Sequence, residues 1–213
     1  MRTKFSASIR LFVKNSLFVD LMRHRIFIAI NLPEGIKKEL SSFQTKWPEL
    51  PCRWTKKENL HITLIFLGYL NDEELLEVLK ITKEVASRNS PFSINLKKII
   101  YGPPKKMPPR MVWAEGEKSE ELGKLQKDLE NSLLTSSIKG LPEPEARPYT
   151  PHITLGRIRA WEWRQIEPEE RPEVAEEISL NFPVNSIEVM ESQLKREGSE
   201  YTILETCSLC ERN

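Results

Sequence analysis

Apolar residues recur along this chain with two different periods, and the switches between them outline its elements. Ile26–Ile30 is a short apolar run ending at Asn31-Leu-Pro, the pattern of a buried strand leaving into a turn. From Glu34 to Trp47 the period changes: Ile36, Leu40, Phe43 and Trp47 fall at helical spacing, and Pro48 stops the run. Ile62–Leu67 reads as a strand ending at Gly68. Asn71 then stands as an N-cap, with Glu73 and Glu74 in the first turn of a helix that carries Leu75, Leu76, Leu79 and Val85.

Phe92–Tyr101 and Met111–Glu115 read as strands joined by the stretch Gly102–Arg110. Its prolines stiffen an exposed loop that holds Lys105, Lys106 and Arg110. Ser119–Leu134 predicts an amphipathic helix with Leu122, Leu125, Leu129 and Leu133 on one side. Ile153–Ile158 predicts a strand, Glu167–Glu177 a surface loop, and Ile187–Leu194 with Tyr201–Leu209 a terminal hairpin. Strand-helix-strand alternation is not sustained, so the order favours an α+β fold with largely antiparallel sheets.

At 213 residues the chain suits one domain or two intimately packed lobes. Hydrophobic residues make up 39%, with five Trp and eight Phe, enough for a substantial core. Charged residues make up 30%, yet the net charge is only +1, so contact with a polyanion must come from a local patch. Three cysteines, Cys52, Cys207 and Cys210, are too few for a secreted disulfide framework, and the C-x-x-C of the last two lacks a second pair. No stretch approaches the roughly 20 apolar residues of a membrane span. Arg2, Lys4, Arg10 and Lys14 precede the first acid, Asp20, as in a transit peptide, but the apolar segment is short and no cleavage site follows. Residues 1–22 therefore read as an N-terminal extension, disordered or the product of an upstream start, and 23–213 as the domain of a cytoplasmic protein.

Two of the three histidines lie in one repeated tetrapeptide, His61-Ile62-Thr63-Leu64 and His152-Ile153-Thr154-Leu155. Side chains alternate across a strand, so each copy presents an imidazole and a hydroxyl on one face and two apolar residues on the other. A single His-x-Thr is ordinarily structural; its duplication points to an internal repeat forming one shared site. Paired histidines suit phosphodiester hydrolysis, which needs a base for water and an acid for the leaving oxygen. The threonine hydroxyls can donate to phosphate oxygens. A catalytic zinc site normally needs three protein ligands, and neither repeat supplies a clustered third. No metal or cofactor is expected, and His24 reads as surface or structural.

The paired His-x-Thr motifs resemble those of the 2H phosphoesterase superfamily. Residues 25–33, Trp54–Gly68 and Arg147–Arg157, with Glu191–Leu194 and Tyr201–Leu204, are similar to the bacterial and archaeal RNA 2′,3′-cyclic phosphodiesterases, also described as 2′-5′ RNA ligases. The resemblance covers about residues 23–209, and two segments depart from it, 1–21 and Ala160–Glu177. It implies a bilobal, pseudo-twofold fold with two largely antiparallel sheets and outer helices around a central groove. His61 would be the proton donor to the leaving 3′-oxygen and His152 the acceptor activating water, giving a 2′-phosphomonoester. Thr63 and Thr154 would hold the phosphate, as would Arg157. The odd offset of Arg157 from His152 puts it on the wrong strand face unless Gly156 marks a bend or bulge.

The partner implied is RNA with 2′,3′-cyclic phosphate ends, tRNA fragments among the candidates, acted on by a monomer. Lys105, Lys106 and especially Arg110 are candidate RNA-binding cations. Trp54, Trp113 and Trp161 could stack on bases, although packing is the more ordinary use of a large aromatic. The alternatives are a 2′-5′ RNA ligase or a small cyclic-nucleotide phosphodiesterase with the same site, and a non-catalytic RNA-end-binding module.

Overall fold

A computed structural model describes residues 23–141, 149–196 and 198–210. The extension over 1–22, and Arg147 and Pro148 of the segment resembling the second motif, lie outside the described residues. The first apolar run forms strand β1 (His24–Asn31), in which Ile26, Ile28 and Ile30 enter the core while Phe27 and Ala29 face the other way. Helix α1 (Glu34–Phe43) passes into a 3-10 turn, Gln44–Lys46, short of Trp47. The Trp47 indole instead donates to the Glu173 carbonyl at 3.0 Å. Strand β2 (Cys52–Trp54) and a 3-10 turn, Lys57–Asn59, lead into β3 (His61–Leu70), which continues past Gly68 because that residue adopts φ +83°.

Asn71 caps α2 (Asp72–Ser87) through a reciprocal pair of hydrogen bonds with Glu74, both 2.9 Å. The helix buries Val78, Thr82, Val85 and Ala86, with Leu75 and Leu79 beside them; Leu76 falls on the outer face. Strands β4 (Phe92–Gly102) and β5 (Met111–Gly116) follow, then α3 (Glu120–Leu134) with its four expected leucines buried. After β6 (His152–Ile158), a short helix α4 (Ala160–Trp163) buries Trp163. The expected surface loop is shorter than its sequence range, because β7 (Ala175–Val184) begins within it. The terminal hairpin is β8 (Ser186–Lys195) and β9 (Gly198–Ser208).

These strands form one curled antiparallel sheet in the order β7-β4-β5-β6-β3-β1-β8-β9, with β2 added against β6. The two expected sheets are its halves. They meet at a single register pair, Ile62 with Ile153, in antiparallel β3 and β6. Core residues of both halves join those of α1, α2 and α3 in one apolar cluster, so the helices cover one face and leave the other as a groove.

Each repeated tetrapeptide ends in a bulge. Thr63 pairs with Ala29 and Ile65 with Ile28, so Leu64 is an extra residue. Thr154 pairs with Trp113 and Gly156 with Val112, so Leu155 is extra. A bulge reverses the alternation beyond it and turns Phe66 and Arg157 to the groove face. The second bulge is held at its carbonyl: Leu155 O accepts from Thr55 N at 2.8 Å and Gln44 Nε2 at 3.3 Å. Gly156 makes it possible, since a Cβ there would stand 2.4 Å from Cys52 Sγ and 2.8 Å from Trp54 Cε3. Gly156→Ala is therefore expected to cost about 1–3 kcal/mol by overpacking, measured by urea unfolding; unchanged stability would show that β2 does not pack so tightly on the bulge.

Candidate active site

Antiparallel pairing of Ile62 with Ile153 sends both isoleucines into the core and both His-x-Thr faces into the groove. It also sets each histidine toward the threonine of the other copy. His61, Thr63, His152 and Thr154 line a single cavity of about 550 Å³. Tyr149 ties the two copies further, its hydroxyl donating to the Thr63 carbonyl at 2.6 Å.

The same backbone contact orients both imidazoles. His61 Nδ1 lies 2.7 Å from the Asn59 carbonyl and His152 Nδ1 lies 3.0 Å from the Thr150 carbonyl, each two residues back along the chain. A carbonyl can only accept, so Nδ1 carries the proton in each ring and the free lone pair is left on Nε2. His61 Nε2 is 3.0 Å from Thr63 Oγ1, whose hydroxyl donates to it.

The rings have different walls. His61 is flanked by Phe27, with centroids 5.0 Å apart, and meets the edge of Tyr201 at 5.1 Å. Burial pushes its pKa below the usual 6.5, the Asn59 carbonyl pulls it back, and the nearby charges of Lys37 and His152 lower it further. His152 stacks on Trp113 at 4.0 Å and 27°. The indole is wedged there by Gly102, where a Cβ would come within 2.1 Å of its ring.

Arg157 lines the groove beyond Thr154. Met111 lies between them, its sulfur 3.9 Å from both Thr154 Oγ1 and Arg157 Nη1. In the other half, Phe66 occupies the corresponding place after its bulge. Arg25 stacks over the Phe66 ring at 4.7 Å and donates to Ser192 Oγ at 3.0 Å. Arg25, Phe27, Phe66 and Tyr201 are groove residues that sequence reasoning did not single out.

Other expectations fall away from the site. Lys105, Lys106 and Arg110 sit exposed on the β4–β5 loop and none lines the groove, so the structure does not bring these cations to the histidines. Trp113 serves as the bed of His152. Trp54 packs on the core, and Trp161 is exposed on α4 outside the groove. His24 is structural, joining Glu191 at 2.8 Å and Asp72 at 3.0 Å. Among the described residues no group of three or more His, Cys, Asp or Glu could hold a metal ion, and no helix is long and apolar enough to cross a membrane.

Comparison with known proteins places these residues in a family. The chain matches the LigT-like phosphoesterases over residues 30–113 and 115–201, a range holding both histidines. It is 32% identical over 195 residues to an RNA 2′,3′-cyclic phosphodiesterase of Thermus thermophilus, covering 87% of this chain and 90% of the relative. A Methanocaldococcus jannaschii protein of the same name is 29% identical over 181 residues, covering 84% of this chain and 98% of the relative. A solved structure from Thermus thermophilus superposes with a TM-score of 0.72 at 31% identity, covering 88% of this chain and 98% of that one. E. coli LigT complexed with 3′-AMP shares the fold, with a TM-score of 0.69 at 24% identity over 89% of this chain and 100% of its own. Matched along nearly all of its described length, with a duplicated His-x-Thr pair at the centre of the match, the chain belongs to the LigT-like phosphoesterases of the 2H superfamily.

Proposed function

We propose that this protein hydrolyses RNA 2′,3′-cyclic phosphate ends to 2′-phosphomonoesters by proton transfer between two histidines and water, without a metal ion. The observation that carries this reading is the pair of imidazoles in one groove, each held through Nδ1 so that Nε2 is left for chemistry. The substrate class comes from the RNA 2′,3′-cyclic phosphodiesterases that the chain resembles at about 30% identity.

In the proposed reaction His152 Nε2 removes a proton from water as its oxygen bonds to phosphorus. The bond from phosphorus to the 3′-oxygen breaks, and His61 Nε2–H protonates that oxygen. Thr63 and Thr154 donate to the non-bridging oxygens, and Arg157 supplies positive charge beside Thr154. The Arg25–Phe66 stack offers a flat face to the adjoining base. Thr63 turns its hydroxyl from His61 to the phosphate as the substrate enters. Burial lowers the proton affinity of His61, so acting as donor requires a phosphate anion to raise it on binding.

His61→Ala and His152→Ala are each expected to cut turnover by about 10²–10⁴-fold, with the double variant little worse because the pair acts as a unit. On a substrate whose 3′-oxygen is a weakly basic leaving group, His61→Ala should recover and His152→Ala should not. Recovery of the His152 variant instead would reverse the two roles.

The pH dependence of kcat/KM reports the free enzyme and should be bell-shaped. His61 must be protonated to donate, so activity should fall as pH rises through its lowered value, placing the alkaline limb below pH 6.5. An acid limb at that lowered value, lost in His61→Ala, would mark His61 as the base.

A further inference from the structure

Lys37 is a buried cation that neither the core nor the groove accounts for. It projects from α1 and is 5% exposed, although lysine is among the side chains least often buried without a close partner. Its carboxylate neighbour is a poor one. Glu34 Oε1 stands 3.9 Å away on a side chain that is 72% exposed, and the other oxygen is taken by Lys57 at 2.9 Å. The ammonium donates instead to the Glu58 carbonyl at 3.3 Å.

The next carbonyl along, that of Asn59, accepts His61 Nδ1–H at 2.7 Å. Ammonium and imidazole thus hang from consecutive carbonyls of one 3-10 turn, Lys57–Asn59. The Asn59 amide pins the same turn to β9 by donating to the Ser199 carbonyl at 2.7 Å.

We propose that Lys37 is a positioning residue for His61: it fixes the turn that orients the ring and sets an incompletely balanced positive charge behind it. The proposal rests on His61 being one of the acid–base pair. The charges facing Lys37 are those of Glu34, Glu58, Lys57 and Glu188. Glu188 is buried, but its two oxygens accept from the Asn31 backbone N–H at 2.9 Å and the Ser186 hydroxyl at 2.6 Å. His61 itself faces the rings of Phe27 and Tyr201, and the charged groups bearing on it are Lys37 and His152. Lys37 repels an imidazolium, as does His152 when it too is protonated. Removing the charge of Lys37 must therefore let His61 hold its proton to higher pH.

The chain has three histidines, so the ring protons of each can be followed by NMR titration of the whole protein. In Lys37→Met, which keeps an unbranched side chain, the His61 titration should move up by roughly 0.5–1 pH unit. The kcat/KM limb that His61→Ala abolishes should move with it, and Lys37→Arg should leave both in place. A merely structural lysine would lower turnover or stability without moving the titration. An unmoved His61 titration in Lys37→Met, whatever the rate, overturns the proposal. Where that variant does not fold, Lys37→Gln carries the same readout. Full activity in His61→Ala would defeat the acid–base reading, while the titration would still decide what Lys37 does to the ring.

Discussion

The site depends on one backbone contact. Ile62 and Ile153 pair across β3 and β6, and this pair joins the halves of the sheet. It sets the two tetrapeptides antiparallel about a local twofold axis. Both isoleucines are fully buried, so a slip of one residue would turn the His-x-Thr faces into the core. The bulges that end each tetrapeptide complete the arrangement, because without them Phe66 and Arg157 would point away from the groove.

On this near-symmetric backbone the side chains are unequal. The His-to-carbonyl contact is repeated, from Asn59 to His61 and from Thr150 to His152. The walls are not: one ring lies among Phe27 and Tyr201 with Lys37 behind it, and the other lies flat on Trp113. Beyond the bulges one half ends in Phe66 under Arg25, the other in Arg157. An acid and a base need different proton affinities, and an exact twofold site would give its two histidines the same one. The two proposed roles thus fall on rings with different walls, and the groove has a polar end at Arg157 and a flat, stacked end at Phe66.

Much of this was legible in the residues. The repeated tetrapeptide gave both histidines and both threonines, because period-two alternation assigns a strand face from sequence alone. Arg157 was reachable because its wrong parity, next to a glycine, required a bulge. The bulge at Leu64 carried no such mark: no glycine adjoins it, and the residue it redirects is an ordinary Phe66. Phe27 was hidden for a related reason. The apolar residues of β1 run on both of its faces, so no alternation distinguished the groove side. Strand β7 did alternate, at Ile178, Leu180, Phe182 and Val184, but the charged stretch before it read as loop. The lysines were the least legible: Lys105 and Lys106, singled out as candidate RNA-binding cations, are exposed on a loop away from the groove, whereas Lys37, which no sequence pattern marked, is buried beside the turn that holds His61.

In the proposed reaction two histidines alone move the protons of a cyclic phosphate hydrolysis. The most direct measurement is incubation of an oligoribonucleotide ending in a 2′,3′-cyclic phosphate with the protein in EDTA, with the terminus read by phosphorus NMR. The expected result is undiminished conversion to a 2′-phosphomonoester. Loss of hydrolysis in the chelator with recovery on adding zinc or magnesium would contradict the metal-free mechanism, and a 3′-phosphate product would contradict the assigned direction of the groove.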